Sequence, residues 1–514
     1  MGVTPLLGPA AASEEVRGTP QRPEVELPEV LASSGQNKTS EKIAQVIALA
    51  VLLAAPALIC VHRAAVADPD IWWHLRVGEW ILQHHAVPRV EIFSAPLAGT
   101  PWLAYSWLFE LVVVKLFYRL GLLGILAYTA GMIVAITVAL YHLVRRLQGD
   151  FTLRVLFTFA SLFSLLPIYT PRPWHFSILF FVLELDILMH ARRTGKTREL
   201  AWLPLIFALW SNIHIEYIYG LFVLGLALVE SVVARRWAGA TVRTKPVWVF
   251  CALLASLLAT LANPFGWRIY GVVYNLVTQG GGLLQVSEMQ AIPFRGLANY
   301  CVLLLTLAAA GALAWTRRFR WFESGLFLFA VVLSFRSQRD VWLIAVAAAA
   351  ILASTVTGSD RNLTPSPRFG ATLATVAAAL MVVAGFRVMR VNNAVLSEQV
   401  ANLMPVRAVD AIRTNGYAGP LYNDFNWGGY LIWALRMPVI IDGRTNLYGN
   451  ERMDRSIATW GGQPDWTSDP ELKSAGLIIG PVTAPLTQLL RMDSHYKLVY
   501  EDKLAAVFVA QRGH

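Results

Sequence analysis

Asp68-Pro69-Asp70-Ile71-Trp72-Trp73-His74-Leu75-Arg76 follows directly on the first long apolar run of the chain, and its reading decides the fold. Two carboxylates, an imidazole, a guanidinium and paired indoles fall within nine positions. A helix begun at Pro69 puts Asp70 and His74 on one face, one turn apart, with Gly78 continuing that face and leaving space beside it. Part of the pattern is ordinary helix chemistry. Asp68 suits an N-cap, Pro69 the first helical position and Asp70 the positive end of the helix dipole, while Trp72, Trp73 and Trp80 suit an interfacial aromatic belt. Capping accounts for one carboxylate but not for a histidine one turn later. Asp70, Asp68 and His74 are therefore read as a catalytic group, with Trp72, Trp73 and Arg76 beside them as substrate contacts.

Composition sets the surroundings of this stretch. The chain is 56% hydrophobic and only 15% charged over 514 residues, with a mean hydropathy of +0.51, which places it among polytopic membrane proteins. The net charge of +10 does not point to nucleic acid, because the basic residues sit in short clusters between apolar runs, the pattern that sets membrane orientation. Cys60, Cys251 and Cys301 fall inside apolar runs, so neither a disulfide framework nor a thiolate metal site is indicated. Residues 1–40 are rich in Pro, Glu, Ser and Gly and read as a disordered tail, whose Arg17, Arg22 and Lys38, with Lys42 just beyond, place it in the cytoplasm.

The first span is expected over Ile43 to Val61, beginning near Thr39 and bent at Pro56, so that Asp68 emerges outside. Two helices lying along the membrane surface, Pro69 to His85 and Pro101 to Leu120, then form a large external loop. The second is apolar enough to span, but Glu110, Lys115 and Arg119 favour the interface. Further apolar runs at 121–143, 153–169, 175–190, 201–215, 217–234, 247–262, 298–315, 321–335, 340–355 and 370–389 bring the total to about eleven spans. Basic clusters at 145–146, 192–198, 235–245, 317–320 and 361–368 all fall in loops assigned inside.

The loops assigned outside carry Arg172 with His175, then Asn212, His214 and Glu216, then Glu288, then Arg336 and Arg339 with Asp340. Ionisable groups at membrane depth are costly and face a cavity or each other, so this set is read with Trp102 as the substrate-binding wall of one polar chamber. For any single member, loop polarity and snorkelling remain the alternative.

Residues 391–514 change to soluble composition and are read as an extracytoplasmic α/β domain. Helical stretches near 406–413, 429–435 and 485–491 alternate with apolar runs at 420–422, 438–441, 476–479, 497–500 and 504–509. Asn423, Asp424, Trp427, Asp442 and Arg444 stand at or just past strand ends, where open sheets bind ligands. They suit an external ligand site; turn chemistry with an Asp–Arg pair is the other reading. No Walker, GxGxxG or zinc spacing occurs.

A carboxylate at a membrane-interface helix, with arginines from other loops and exposed aromatics, suits transfer of a sugar from a lipid phosphate to a hydroxyl. Asp70 would take the acceptor proton while arginines and His74 stabilise the departing phosphate, and Trp72, Trp73 and Trp102 would line the sugar path. The aqueous side lacks nucleotide sugars, which explains a lipid-borne donor. No cofactor is required by this scheme, although Asp68 and Asp70 are also of the kind that holds magnesium or manganese.

The same residues carry a resemblance. The first span followed by Asp68-x-Asp70-x-Trp72-Trp73-His74-Leu75, Gly78-x-Trp80-Ile81, Pro88 to Phe93-Ser94 and Pro101-Trp102, with Asn423-Asp424 to Trp427-Gly428-Gly429-Tyr430-Leu431 and Asp442-Gly443-Arg444-Thr445-Asn446-Leu447-Tyr448, resembles bacterial multi-pass proteins related to GT-C-type glycosyltransferases. It spans nearly the whole chain after the tail. The resemblance implies two juxtamembrane helices in the first external loop, a catalytic acid just after the first span at Asp68 or Asp70, and a bacterial inner-membrane location. It also implies a polyprenyl-phosphate-sugar donor and a glycan, lipid or protein acceptor, joined with inversion. Where such relatives carry His-Glu before a Trp-Leu pair, this chain has Tyr105-Ser106 before Trp107-Leu108. A non-catalytic assembly protein, binding lipid in the chamber and a partner through its external domain, is the rival reading. A transporter ranks last, since the cytoplasmic halves of the spans read as almost wholly apolar.

Overall fold

A computed structural model describes residues 29–63, 66, 68–236, 243–278, 286–316, 319–357 and 367–511. Most of the expected tail, and parts of the basic clusters after 236, at 317–318 and at 361–366, lie outside the described residues. The membrane part is helical: α1 Glu29–His62, α2 Ile71–His84, α3 Trp107–Leu120, α4 Leu122–Leu147, α5 Phe151–Ser164, α6 Trp174–Thr194 and α7 Leu203–Trp210. It continues with α8 Tyr217–Arg236, α9 Pro246–Ala259, α10 Ile269–Thr278, α11 Leu297–Trp315, α12 Trp321–Arg336, α13 Val341–Thr355 and α14 Pro367–Val388. α1 starts ahead of the expected Thr39, and α10 forms where only a loop was read.

Each apolar run read as a span contains a helix, and among the described residues seven helices are long and apolar enough to cross a membrane. The chain is thus a multi-pass membrane protein. α5 and α9 are shorter apolar helices, and α7 ends at Trp210 because the chain turns there toward His214. α13 is the axis of the bundle. Val341 to Ala353 are all buried, and the alanines at 347–350 let α5, α11 and α12 close around it. On the bundle's outside Trp248, Phe250, Leu304, Leu307, Leu328 and Leu380 stay exposed, a surface that suits lipid rather than water.

The spans are less apolar than expected. Glu184, Asp186 and Glu230 are buried in α6 and α8, and Arg146, Arg192 and Arg320 at that end pair with carboxylates. Arg146 meets Asp186 at 2.5 Å and Glu199 at 3.1 Å, and Arg192 holds Glu230 and Glu323.

α2 and α3 are the two short helices expected in the first external loop. They cross closely because Gly78 has no side chain: a Cβ there would lie 2.3 Å from the Glu110 carbonyl oxygen.

The C-terminal part follows with α15 Asn393–Ala401, α16 Val406–Asn415, β1 Leu421–Asn423, α17 Gly428–Leu435, α18 Thr445–Trp460, β2 Leu477–Pro481, β3 Tyr496–Glu501 and β4 Ala505–Ala510. Its four-stranded sheet runs β1-β2-β4-β3, with β1 parallel to β2 and the other pairs antiparallel. Leu421 faces Leu477 and Ile479 faces Val507. The run at 438–441, expected as a strand, stays out of the sheet. Val439 donates its N–H to Phe93 O and accepts from Ala95 N, both at 2.9 Å, because this apolar segment docks on the loop between α2 and α3. α17 also packs on α2. These two contacts carry residues 442–446 to the N-terminus of α2.

Candidate active site

α2 begins at Ile71, not Pro69, and Asp70 is its N-cap without any side-chain capping bond. Asp68 Oδ1 accepts the Asp70 N–H at 2.8 Å, which leaves the other Asp68 oxygen and the whole Asp70 carboxylate to be satisfied elsewhere. Arg172, just ahead of α6, supplies that partner: its Nε donates to Asp68 Oδ2 at 2.7 Å and its Nη1 pairs with Asp70 Oδ2. Its Nη2 lies 3.6 Å from Glu288 Oε2.

Asp70 is 8% exposed and lines a cavity of about 270 Å³ together with Trp73, His74, Trp102, Glu110, Arg172, Trp174, His214, Glu288, Arg339 and Arg444. Residues from both short helices, from four distant loops of the bundle and from the C-terminal part therefore share one hollow. Burial pushes the Asp70 carboxyl up to about 7, with Arg172 pulling it down and Asp68, Glu288 and Asp442 adding to the rise.

One turn along α2, His74 Nδ1 is 3.2 Å from Glu110 Oε1. Burial holds the imidazole well below its ordinary value and the carboxyl well above its own. Both shifts favour the uncharged forms of this pair, so positive charge in the cavity falls to the arginines.

Two of those arginines lie over one indole. The guanidinium carbons of Arg172 and Arg339 lie 5.2 and 5.7 Å from the Trp174 ring centroid. Arg339 Nη2 donates to His214 Nε2 at 3.0 Å, which puts the imidazole proton on Nδ1, 2.8 Å from Ser177 Oγ and 3.2 Å from Glu216 Oε2. Arg339 Nε is 3.4 Å from Glu216 Oε1. Glu216 thus orients His214 and Arg339 from behind the wall.

The C-terminal part closes the fourth side. A Cβ on Gly443 would lie 1.8 Å from Asp70 Oδ1, so only glycine permits this approach. Arg444 grips Glu91 through Nη1 at 2.6 Å and Nη2 at 3.1 Å, and Asp442 through Nε at 2.8 Å and Nη2 at 2.6 Å. Its guanidinium carbon lies 4.8 Å from the Trp102 ring centroid. Phe425, Asn426 and Asn446 line the same cavity.

Other expected site residues serve elsewhere. Trp72 packs edge-on against Tyr430 at 5.1 Å, Arg76 pairs with Glu79 at 2.5 Å, and His175 Nε2 bonds Ile168 O at 3.2 Å. Asn212 accepts from Trp107 Nε1 at 2.8 Å and donates to Ala208 O and Ala262 O, acting as a strut. Arg336 is exposed and away from the cavity. Asn423 ties Asp424 O, Ile440 N and Ile441 O together. Asp424 caps the turn at Asn426 and Trp427 donates to Leu403 O, which is turn and packing chemistry. Of the five residues expected to form an external ligand site, Arg444 alone lines this cavity.

Sequence reasoning missed Glu110 and Glu91. Glu110 lies one turn after Ser106 on the same helix face, a spacing that was available; Glu91 meets Arg444 across 353 residues, and no local signal marks it. Among the described residues, no group of three or more His, Cys, Asp or Glu side chains is arranged to hold a metal ion.

No family model matches the chain, and no curated protein matches its sequence. Its fold is similar to solved structures. The oligosaccharyltransferase AglB of Archaeoglobus fulgidus, in complex with an inhibitory peptide and a dolichol-phosphate, aligns over 84% of this chain and 69% of its own with a TM-score of 0.53 at 12% identity. The apo form of the oligosaccharyltransferase from the same organism aligns over the same shares at 0.51 and 11% identity. ArnT from Cupriavidus metallidurans, bound to undecaprenyl phosphate, aligns over 89% of this chain and 97% of its own at 0.47 and 14% identity. The resemblance to GT-C-type enzymes read from the sequence therefore holds for the fold.

Proposed function

We propose that this chain is a GT-C-type glycosyltransferase of a bacterial inner membrane, moving a sugar from a polyprenyl-phosphate donor to an acceptor on the extracytoplasmic side. In this reading residues 1–40 are a cytoplasmic tail, 41–390 the transmembrane domain and 391–514 an extracytoplasmic domain. The observation that carries it is the buried Asp70 carboxylate on the wall of a cavity that also presents three arginines and three indoles. A base poised near 7 matches proton abstraction at neutral pH. The AglB structure, with its dolichol-phosphate and peptide, supports a lipid-phosphate donor and a second substrate on this fold.

The acceptor hydroxyl gives its proton to Asp70 as its oxygen bonds the anomeric carbon. On the opposite face the bond from that carbon to the phosphate oxygen breaks, and its electron pair leaves with the polyprenyl phosphate. One displacement inverts the anomeric centre. Arg172 and Arg339 stabilise the leaving charge, and Trp73 and Trp102 offer faces for the sugar. A second cavity of about 750 Å³ shares Trp102, Leu103 and Asn446 with the first and runs beside α10, which gives a long substrate a way in.

The test is transfer of labelled sugar from lipid donor by purified protein, with the anomeric configuration of the product determined. Wild-type rates in both Asp68→Asn and Asp70→Asn would remove the catalytic role. Binding of polyprenyl phosphate without transfer to any acceptor would favour the assembly-protein rival.

A further inference from the structure

Three carboxylates from two separate stretches meet a single guanidinium, and each faces a different nitrogen of it. Arg172 uses Nε for Asp68 and Nη1 for Asp70, and turns Nη2 toward Glu288. An Asp-x-Asp pair joined by a distant glutamate is an all-oxygen donor set of the kind hard divalent cations take. Here the oxygens are spread around a planar fork instead of converging on a point. Trp174 lies against the guanidinium and fixes its plane, and Arg172 is only 13% exposed in its side chain. A divalent ion seated among these oxygens would have to displace or adjoin a buried positive charge, which low-dielectric surroundings penalise.

We propose that Arg172 is itself the cation of this site. It holds Asp68 and Asp70 in place without any divalent ion and offers its Nη2 edge to the donor phosphate, a part that rests on the glycosyltransferase reading. Glu288 at 3.6 Å is beyond hydrogen-bond range, so a phosphate oxygen replaces it there and gains a charge-assisted bond.

The experiment titrates purified full-length protein with Mn²⁺ and reads the bound ion by electron paramagnetic resonance, in wild type, Asp70→Asn, Arg172→Ala and Arg172→Lys. Transfer is measured in parallel with and without chelator. Wild type is expected to show no Mn²⁺ site that Asp70→Asn abolishes, and its transfer to be unchanged by chelator. Folded Arg172→Ala, with its carboxylates bared, is expected to gain a Mn²⁺ site that adding Asp70→Asn removes. Arg172→Lys keeps the charge but loses the three-way fork; its transfer is expected to fall about 100-fold and to stay chelator-insensitive.

Mn²⁺ binding by wild type that depends on Asp70 overturns the proposal, as does chelator-sensitive transfer restored by Mg²⁺, or a folded Arg172→Ala that gains no site. The resonance readout needs no turnover. Failure to find transfer with any donor therefore counts against the enzyme reading alone, and the ion measurement on wild type still decides this one even if Arg172→Ala does not fold.

Discussion

Arg192 and Arg172 both lie at ends of α6, and both are buried among carboxylates, but their surroundings differ. Arg192 holds Glu230 through Nε at 2.6 Å and Nη2 at 2.7 Å, and Glu323 through Nη1 and Nη2, both at 3.1 Å. Arg320 adds a bond to Glu323 at 2.7 Å, and the Phe322 ring closes one face at 4.2 Å. Each oxygen of Glu230 and Glu323 has a donor. Around Arg172 the pairing is incomplete: Glu288 stands off at 3.6 Å, and Glu110 Oε2 and Trp73 Nε1 are buried with no hydrogen-bond partner. Closed charge networks fix helices to one another, whereas open ones keep polar groups available to a ligand. Burial of charge alone does not mark a site; incomplete pairing beside a cavity does.

Substitutions test this contrast. Asp70→Asn is expected to lower transfer about 1,000-fold; a variant that keeps a tenth of the wild-type rate would show that Asp70 is not the base. At the closed end, Arg192→Ala strands two buried carboxylates and is expected to cost about 3–5 kcal/mol of stability. Denaturant titration in detergent reads that loss, and transfer per folded molecule should stay at wild type; a selective loss of rate would join the two ends functionally.

Gly443→Ala is smaller in chemistry but pushes a methyl into Asp70, and transfer should fall about 100-fold through misplacement of the carboxylate. Near-wild-type kinetics there would separate the C-terminal part from the reaction. The pH profile follows from burial of Asp70. The base must be ionised and its carboxyl is raised to about 7, so the rate should drop about tenfold per unit as pH falls below 7 and level off above it. A profile flat down to pH 5 would place the titrating group elsewhere. Arg336→Ala, at an exposed position outside the cavity, should change stability by less than about 0.5 kcal/mol and leave transfer unaltered.

How far the site was legible depended on sequence distance. Asp68, Asp70 and His74 declare themselves within one short stretch, and the alternation of basic and functional loops places Arg172, His214, Glu288 and Arg339 at one end of the bundle. Helix spacing within 105–110 also held the clue to Glu110, but its charge was read only as a sign of the membrane interface. Trp72, Arg76 and Asn212 looked equally suited to substrate, and nothing local distinguishes an indole facing a cavity from one packed on Tyr430. Asn423, Asp424 and Trp427 resembled a ligand loop because turn-forming and ligand-binding chemistry use the same side chains.

The amino-acid sequence by itself determined the apolar helices of the bundle and the positions of the four C-terminal strands, though not α10, α15 or α18, and the end at which polar loops gather, since these follow from periodicity, hydropathy and charge along neighbouring residues. Only the tertiary structure decided which side chains share the hollow and which charges remain unsatisfied. It also decided that the run at 438–441 binds the first loop instead of the sheet, bringing Gly443 against Asp70. The physical reason is that pairing and exclusion depend on contacts across hundreds of residues, as between Glu91 and Arg444, where no local pattern records which partner will arrive.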